Sequence, residues 1–110
     1  MMHVDIEELN NFCVIDIKGG VILSYASELK EVLLDSIANH PDIEVRLHDI
    51  NEIDTAAIQT LWLAKREARQ ANKTLRYVDH SPAVIELLQI YNLIEEFADP
   101  LPDNPNSEEG

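Results

Sequence analysis

The strongest constraint in this chain is a change of hydrophobic period. Short runs rich in β-branched residues, alternating apolar and polar, give way repeatedly to longer segments whose apolar residues recur every three to four positions. Residues 12–18 show the first pattern: Cys13, Ile15 and Ile17 fall on one face, Asp16 and Lys18 on the other, as in a half-buried strand. Residues 3–8 precede them, and Asn10-Asn11 between the two suits a hairpin turn. Gly19-Gly20 is expected to end the second strand. The second pattern starts near Ser24, expected to be an N-cap. Leu29, Val32, Leu33 and Ile37 then recur at helical spacing until His40-Pro41 stops them.

The alternation then repeats. Residues 43–47 read as a short strand and residues 49–53 as a connecting segment. Asp54 is placed to cap a helix that runs to about Gln70. Asn72-Lys73 turns into a strand over residues 75–78. Ser81-Pro82, with Ser at the N-cap and Pro at the first helical position, opens a third helix that ends near Tyr91-Asn92. Strands alternating with helices predict an α/β domain with a partly parallel sheet.

Charge narrows the function. With 8 Lys and Arg against 21 Asp and Glu, the net charge is −13. Such a chain lacks the cations that neutralise nucleic-acid phosphates or bind an anionic membrane surface. No apolar run approaches the ~20 residues that span a bilayer. The N-terminus reads as neither basic nor apolar enough for a secretory signal, so a cytoplasmic location is expected. The single cysteine, Cys13, falls on an apolar face and reads as a buried thiol. His3, His40, His48 and His80 have no metal-ligand spacing, and His48-Asp49, as strand neighbours, are expected to point apart. No glycine-rich phosphate loop is present, so neither metal, cofactor nor catalytic site is expected. From Asn92 onward there are six acids and no Lys or Arg, among several prolines; residues 99–110 read as a disordered acidic tail beyond a domain of residues 1–98. Lys65, Arg66, Arg69, Lys73 and Arg76 read as a solvated basic helix end.

The second helix carries more apolar surface than one core stripe requires. At about 100° per residue, Ala57, Ile58, Leu61, Ala64 and Ala68 share one arc. Thr55, Gln59, Trp62 and Arg66 share another, widened by Ala56 and Leu63. Either Trp62 lies flat on a neighbouring element, or it anchors a protein interface, where Trp and Arg are over-represented among the dominant residues.

Residues 49–57, Asp-Ile-Asn-Glu-Ile-Asp-Thr-Ala-Ala, followed by an apolar helix, resemble the signature of STAS domains, the sulfate-transporter and anti-sigma-factor-antagonist modules. The resemblance continues through Ile17-Lys18-Gly19, the strand around Leu75, the Ser81-Pro82 helix opening and Leu87-Leu88, and covers roughly residues 4–97. It implies a STAS fold: a mixed central sheet of four to five strands with helices packed mainly on one face. It also implies that Thr55, the hydroxyl residue after Asp54, is the one reversibly phosphorylated. A single-domain, anti-sigma-factor-antagonist-like protein would bind a serine/threonine kinase or anti-sigma factor through Asp54, Thr55, Ala56, Gln59, Trp62, Leu63 and Arg66. Phosphorylation would release it and a phosphatase would restore it. The alternative implied by the resemblance is a constitutive subunit on the ATPase of a lipid-transport ABC complex. Three departures bear on the partner: Ala56-Ala57 replace a small residue plus Gly, the acidic tail replaces a further helix, and Ile22 stands where many antagonists carry an acidic contact residue.

Overall fold

The computed structural model describes residues 1–92. The expected boundary at residue 98 and the acidic tail lie outside the described residues. The elements run β1 (Met2–Leu9), β2 (Phe12–Val21), a 3-10 turn (Leu23–Tyr25), α1 (Ala26–Asn39), β3 (Asp42–Ile53), α2 (Thr55–Gln70), β4 (Thr74–Val78) and α3 (Pro82–Ile90). Four strands form one mixed sheet in the order β1-β2-β3-β4. The β1/β2 pair is the antiparallel hairpin read from Asn10-Asn11, with Leu9 opposite Phe12 and Asn10 at φ +55°. The β2/β3 and β3/β4 pairs are parallel, so each needs a crossover, supplied by α1 and α2. Two crossovers stepping the same way across a sheet lie on one face when both have the usual hand, and α1 and α2 pack against each other there.

The core follows from period-2 and period-3.6 patterning meeting at that face. Cys13, Ile15 and Ile17 of β2, Ile43, Val45 and Leu47 of β3, and Leu75 and Tyr77 of β4 are buried against the helices. The helices contribute Leu29, Leu33 and Ile37, then Ala57, Ile58, Leu61, Ala64 and Ala68, then Val84 and Leu88. The alanines let α2 approach the sheet closely. Tyr77 fixes it there, its buried hydroxyl donating to the Leu61 carbonyl at 2.7 Å. Burial pushes the Tyr77 phenol well above its ordinary pKa, so it stays a neutral donor. The opposite sheet face is charged: Arg76 pairs with Asp42 and Glu44 at 3.5 and 3.6 Å, Arg46 pairs with Glu44 at 3.0 Å, and Arg76 also lies over the Phe12 ring.

Several expectations are corrected. Gly19-Gly20 does not end β2; the strand runs on to Val21 through two register shifts. Gly19 sits at φ +85°, and a Cβ there would collide with the carbonyl of Met1, which accepts from the Gly20 N–H at 3.3 Å. Residues 49–53 are not a connection: Asp49, Ile50, Glu52 and Ile53 pair with Lys18, Gly19, Gly20 and Val21. The bulges shift the alternation out of phase, so this half of β3 does not read as a strand. Ser24 is not an N-cap; it lies inside the 3-10 turn, and α1 begins after Tyr25 without a side-chain cap. The basic group is a solvated helix end only in part: Arg66 and Arg69 are exposed, Arg69 in the last turn of α2, but the other three are not. Lys65 is buried and donates to the Leu75 carbonyl at 3.3 Å. Lys73 donates to the Ile37 and His40 carbonyls at 2.6 and 3.3 Å, closing the end of α1, while Arg76 belongs to the charged sheet face. Cys13 is fully buried, and burial raises its thiol pKa.

Candidate functional site

The long strands β2 and β3 deliver the chain to one end of the sheet, and Asp54 organises what stands there. Its N–H donates to the Val21 carbonyl at 3.3 Å. Its Oδ1 accepts from the Ala57 N–H at 3.0 Å, the side-chain cap expected from the sequence. Its Oδ2 accepts from the Leu23 N–H at 2.8 Å, which supplies the 3-10 turn with the acceptor that Ser24 does not. One carboxylate thus ties the β2–α1 turn to the first turn of α2.

Thr55 follows as the first residue of α2 and is exposed. Its Oγ1 lies 2.8 Å from the Tyr91 hydroxyl, at the end of α3. Ala56 is half-buried, and its carbonyl accepts from the Thr60 hydroxyl at 3.0 Å. Gln59 and Arg66 are exposed and Leu63 is half-buried. Trp62 retains 42 % of its exposure, and the Arg66 guanidinium sits 5.8 Å from its ring centroid, one helical turn on. The indole is therefore neither in the core nor spread fully into solvent. Ile22, half-buried, is flanked by Val21 and Leu23, both bonded to Asp54, so the backbone brings it to the same end of the sheet.

The sequence-derived set is thus gathered on one helix face and its cap, with Ile22 held beside it by the turn. Two residues of this end were missed. Leu23 is 70 % exposed next to Ile22 and packs with a turn that contacts α2. Tyr91 reaches Thr55 across 36 residues of sequence, and nothing local to either residue signals the pairing.

His48 is corrected as well. It and Asp49 do not point apart: Nε2 lies 3.1 Å from Asp49 Oδ2, and Nδ1 lies 3.8 Å from Asp16 Oδ1. The register shift between Asp16 and Lys18 rotates the backbone there. Among the described residues, no three His, Cys, Asp or Glu side chains are grouped to hold a metal ion. No helix among them is long and apolar enough to cross a membrane.

The STAS_2 family model, described as "Mlab, STAS domain", matches residues 4–99. The chain is a member of that STAS family. No curated protein sequence matches it significantly. Solved STAS-like structures share the fold at low identity. An anti-sigma factor antagonist from Mycobacterium paratuberculosis superimposes with a TM-score of 0.79 at 15 % identity, covering 97 % of this chain and 90 % of that one. The anti-sigma factor antagonist SpoIIAA in its unphosphorylated form gives 0.73 at 14 % identity, covering 97 % and 96 %. The Bacillus cell fate determinant SpoIIAA in the phosphorylated form gives 0.69 at 13 % identity, covering 98 % and 100 %. The four-stranded mixed sheet with three helices is thus the STAS architecture.

Proposed function

We propose that this STAS protein is a non-enzymatic, cytoplasmic interaction switch, resembling anti-sigma-factor antagonists, that docks a protein partner through the first turns of α2 and is released when Thr55 is phosphorylated. The observation that carries the reading is the placement of Thr55: the first residue of α2, exposed, on the helix face that also presents Gln59, a half-exposed Trp62 and Arg66. A phosphate at that position adds about −1.5 to −2 charges to a surface a partner must desolvate. The α2 cap is made by the Asp54 carboxylate rather than by Thr55, so the modification changes the exposed face and leaves the core standing. The partner is a serine/threonine kinase or an anti-sigma factor, with a phosphatase restoring the free hydroxyl. SpoIIAA, whose fold this chain shares, has been solved in both unphosphorylated and phosphorylated forms.

A second reading is a constitutive subunit bound to the ATPase of a lipid-transport ABC complex, with Thr55, Gln59 and Trp62 as permanent interface residues. Two observations favour it: the matching family model carries the description "Mlab, STAS domain", and the Thr55 hydroxyl is already hydrogen-bonded within the chain. Peptide mass spectrometry of the protein isolated from its native cells, with its partners captured in parallel, separates the two. A phosphate on Thr55 confined to the partner-free fraction supports the switch. An unmodified Thr55 in both fractions, with an ATPase at fixed stoichiometry, supports the subunit. Within the switch reading, Thr55→Ala binds the partner whatever the kinase activity and Thr55→Glu binds it less well. Undiminished binding by genuinely phosphorylated protein defeats that reading.

A further inference from the structure

The cations of this chain are few, and the fold uses most of them. Eight Lys and Arg face 21 Asp and Glu. Lys18 lies 3.8 Å from Asp5, Arg46 pairs with Glu44, and Arg76 pairs with Asp42 and Glu44. Lys65 and Lys73 donate to backbone carbonyls. Lys30 is exposed on α1, with Glu28 and Glu31 on either side of it in sequence. Arg66 and Arg69 are different. Both are exposed, and neither forms an ion pair with another described residue.

Both stand on the face of α2 that carries the candidate site. At about 100° per residue, Thr55, Gln59, Trp62, Arg66 and Arg69 fall within an arc of about 80°. All five are exposed. No acid stands among them: Glu67, the only Asp or Glu of α2, is turned about 100° from Arg66. With the Arg66 guanidinium 5.8 Å from the Trp62 ring centroid, cation and apolar plane are presented together. In a chain of net charge −13, this face is a positive island built around an indole.

A guanidinium is a planar fork that matches a carboxylate through two parallel hydrogen bonds, and stacking on an indole holds it ready to do so. Phosphate polyanions fit less well, because two arginines neutralise few phosphates and the acidic body repels the others. The same repulsion turns an acidic protein surface away from the rest of the molecule, so charge sets orientation as well as site. We infer that the α2 face selects its protein partner by an acidic surface, which offers carboxylates to Arg66 and Arg69 around an apolar pocket for Trp62. The inference rests on α2 being the docking face, as proposed above under both readings. It adds the partner's chemistry and one further contact residue, Arg69.

The test turns on a sign. The probe is the partner recovered with the native protein, purified separately and titrated calorimetrically against the full chain. The double reversal, Arg66→Glu with Arg69→Glu, makes an acidic chain more acidic still. A basic partner surface binds that chain more tightly. The acidic surface binds it less tightly, by roughly tenfold or more at about 0.05 M salt, and the difference narrows at about 0.5 M. Arg66→Gln with Arg69→Gln gives the same sign at smaller size and places no acid in the C-terminal turn of α2. Arg66→Lys with Arg69→Lys keeps the charge and most of the affinity, and carbodiimide then couples the new amines to partner carboxylates that peptide mass spectrometry locates. Lys30→Glu, on α1, changes affinity by no more than about twofold. A loss there as large as in the double reversal reduces the effect to long-range charge and overturns the inference. Equal or tighter binding by the reversed chain, with Trp62→Ala still binding less well, overturns the acidic partner and leaves α2 as the docking face. Unaltered binding by both defeats docking through α2 itself. Sedimentation of the parent chain with phosphatidylglycerol vesicles, lost on reversal, assigns the arginines to an anionic membrane and overturns the protein partner.

Discussion

The two ends of the sheet treat their polar and apolar groups in opposite ways. Where β2, β3 and β4 begin, the polar groups are turned inward and used up on the chain itself. Buried His40 donates from Nδ1 to the Ser36 carbonyl at 3.2 Å and places Nε2 3.4 Å from Glu8, while Lys73 holds the Ile37 and His40 carbonyls. Where β2 and β3 finish, both oxygens of Asp54 are committed, yet Leu23, Trp62 and Tyr91 leave large apolar area in solvent. Contiguous exposed apolar surface rimmed by polar groups marks interaction sites, whereas satisfied buried polar groups specify a fold. The first end is closed by such bonds, and the second is the end on which the proposed docking surface lies.

Substitutions at the two ends should therefore separate stability from binding. The largest expected effect is Trp62→Ala, which costs about 2 kcal/mol or more of partner affinity if the indole is the anchor. Half of that indole is covered, so some stability is lost too, but less. A stability loss of the same size with binding intact would make Trp62 a core residue and collapse the distinction. The mirror image is Lys73→Ala, expected to lower the unfolding free energy by about 2 kcal/mol, because a charged donor to two carbonyls is removed. Urea unfolding should show a lower midpoint at unchanged slope, with partner affinity as in the parent chain. Asp54→Ala comes next and touches both properties. Loss of the cap destabilises α2 by about 1 kcal/mol, and freeing the Leu23 N–H loosens the turn that carries Ile22 and Leu23. Calorimetric unfolding alongside partner titration checks it; a change in only one of the two readouts would mean that the turn and the helix are not coupled through this carboxylate.

What could be read from the sequence divides along a physical line. The core faces of β2 and α2, the caps at Asp54 and Ser81, and the end of α3 near Tyr91-Asn92 are all local consequences of residue type and spacing, and each stands where it was expected. Thr55, Gln59, Trp62 and Arg66 fall on one face because 100° per residue puts them there. The misses are long-range. Ser24 looks like a cap until Asp54, 31 residues away from Leu23, provides the acceptor instead. Lys65 and Lys73 look solvated until the carbonyls of Leu75, Ile37 and His40 arrive by folding. Residues 49–53 lose their alternation to bulges that only pairing with β2 defines. Tyr91 is a case of the same kind at the candidate site: a hydroxyl has no periodicity to betray its partner.

The smallest predicted effect probes the helix that links the described core to the exposed end. His80 stands just before α3, where the Ser81 N–H donates to the Leu47 carbonyl at 3.2 Å. Burial, chiefly, holds the His80 imidazole below its ordinary pKa; the Lys65 charge pushes the same way and Asp79 opposes. In the window between that lowered value and the ordinary ~6.5 the unfolded chain binds more protons than the folded one, so stability rises with pH there and is lost as pH falls through the folded value. Unfolding of the parent chain and His80→Gln, compared between about pH 7.5 and pH 5, should show the parent's advantage over the variant shrinking on acidification. A difference independent of pH would mean that His80 does not carry this titration. The choice matters because His80 lies two residues before α3, whose far end makes the Thr55 contact. A proton taken up there loosens the helix from its buried side, and faster exchange at the Ile85 amide, which donates to the Ser81 carbonyl at 3.0 Å, is the local sign of it.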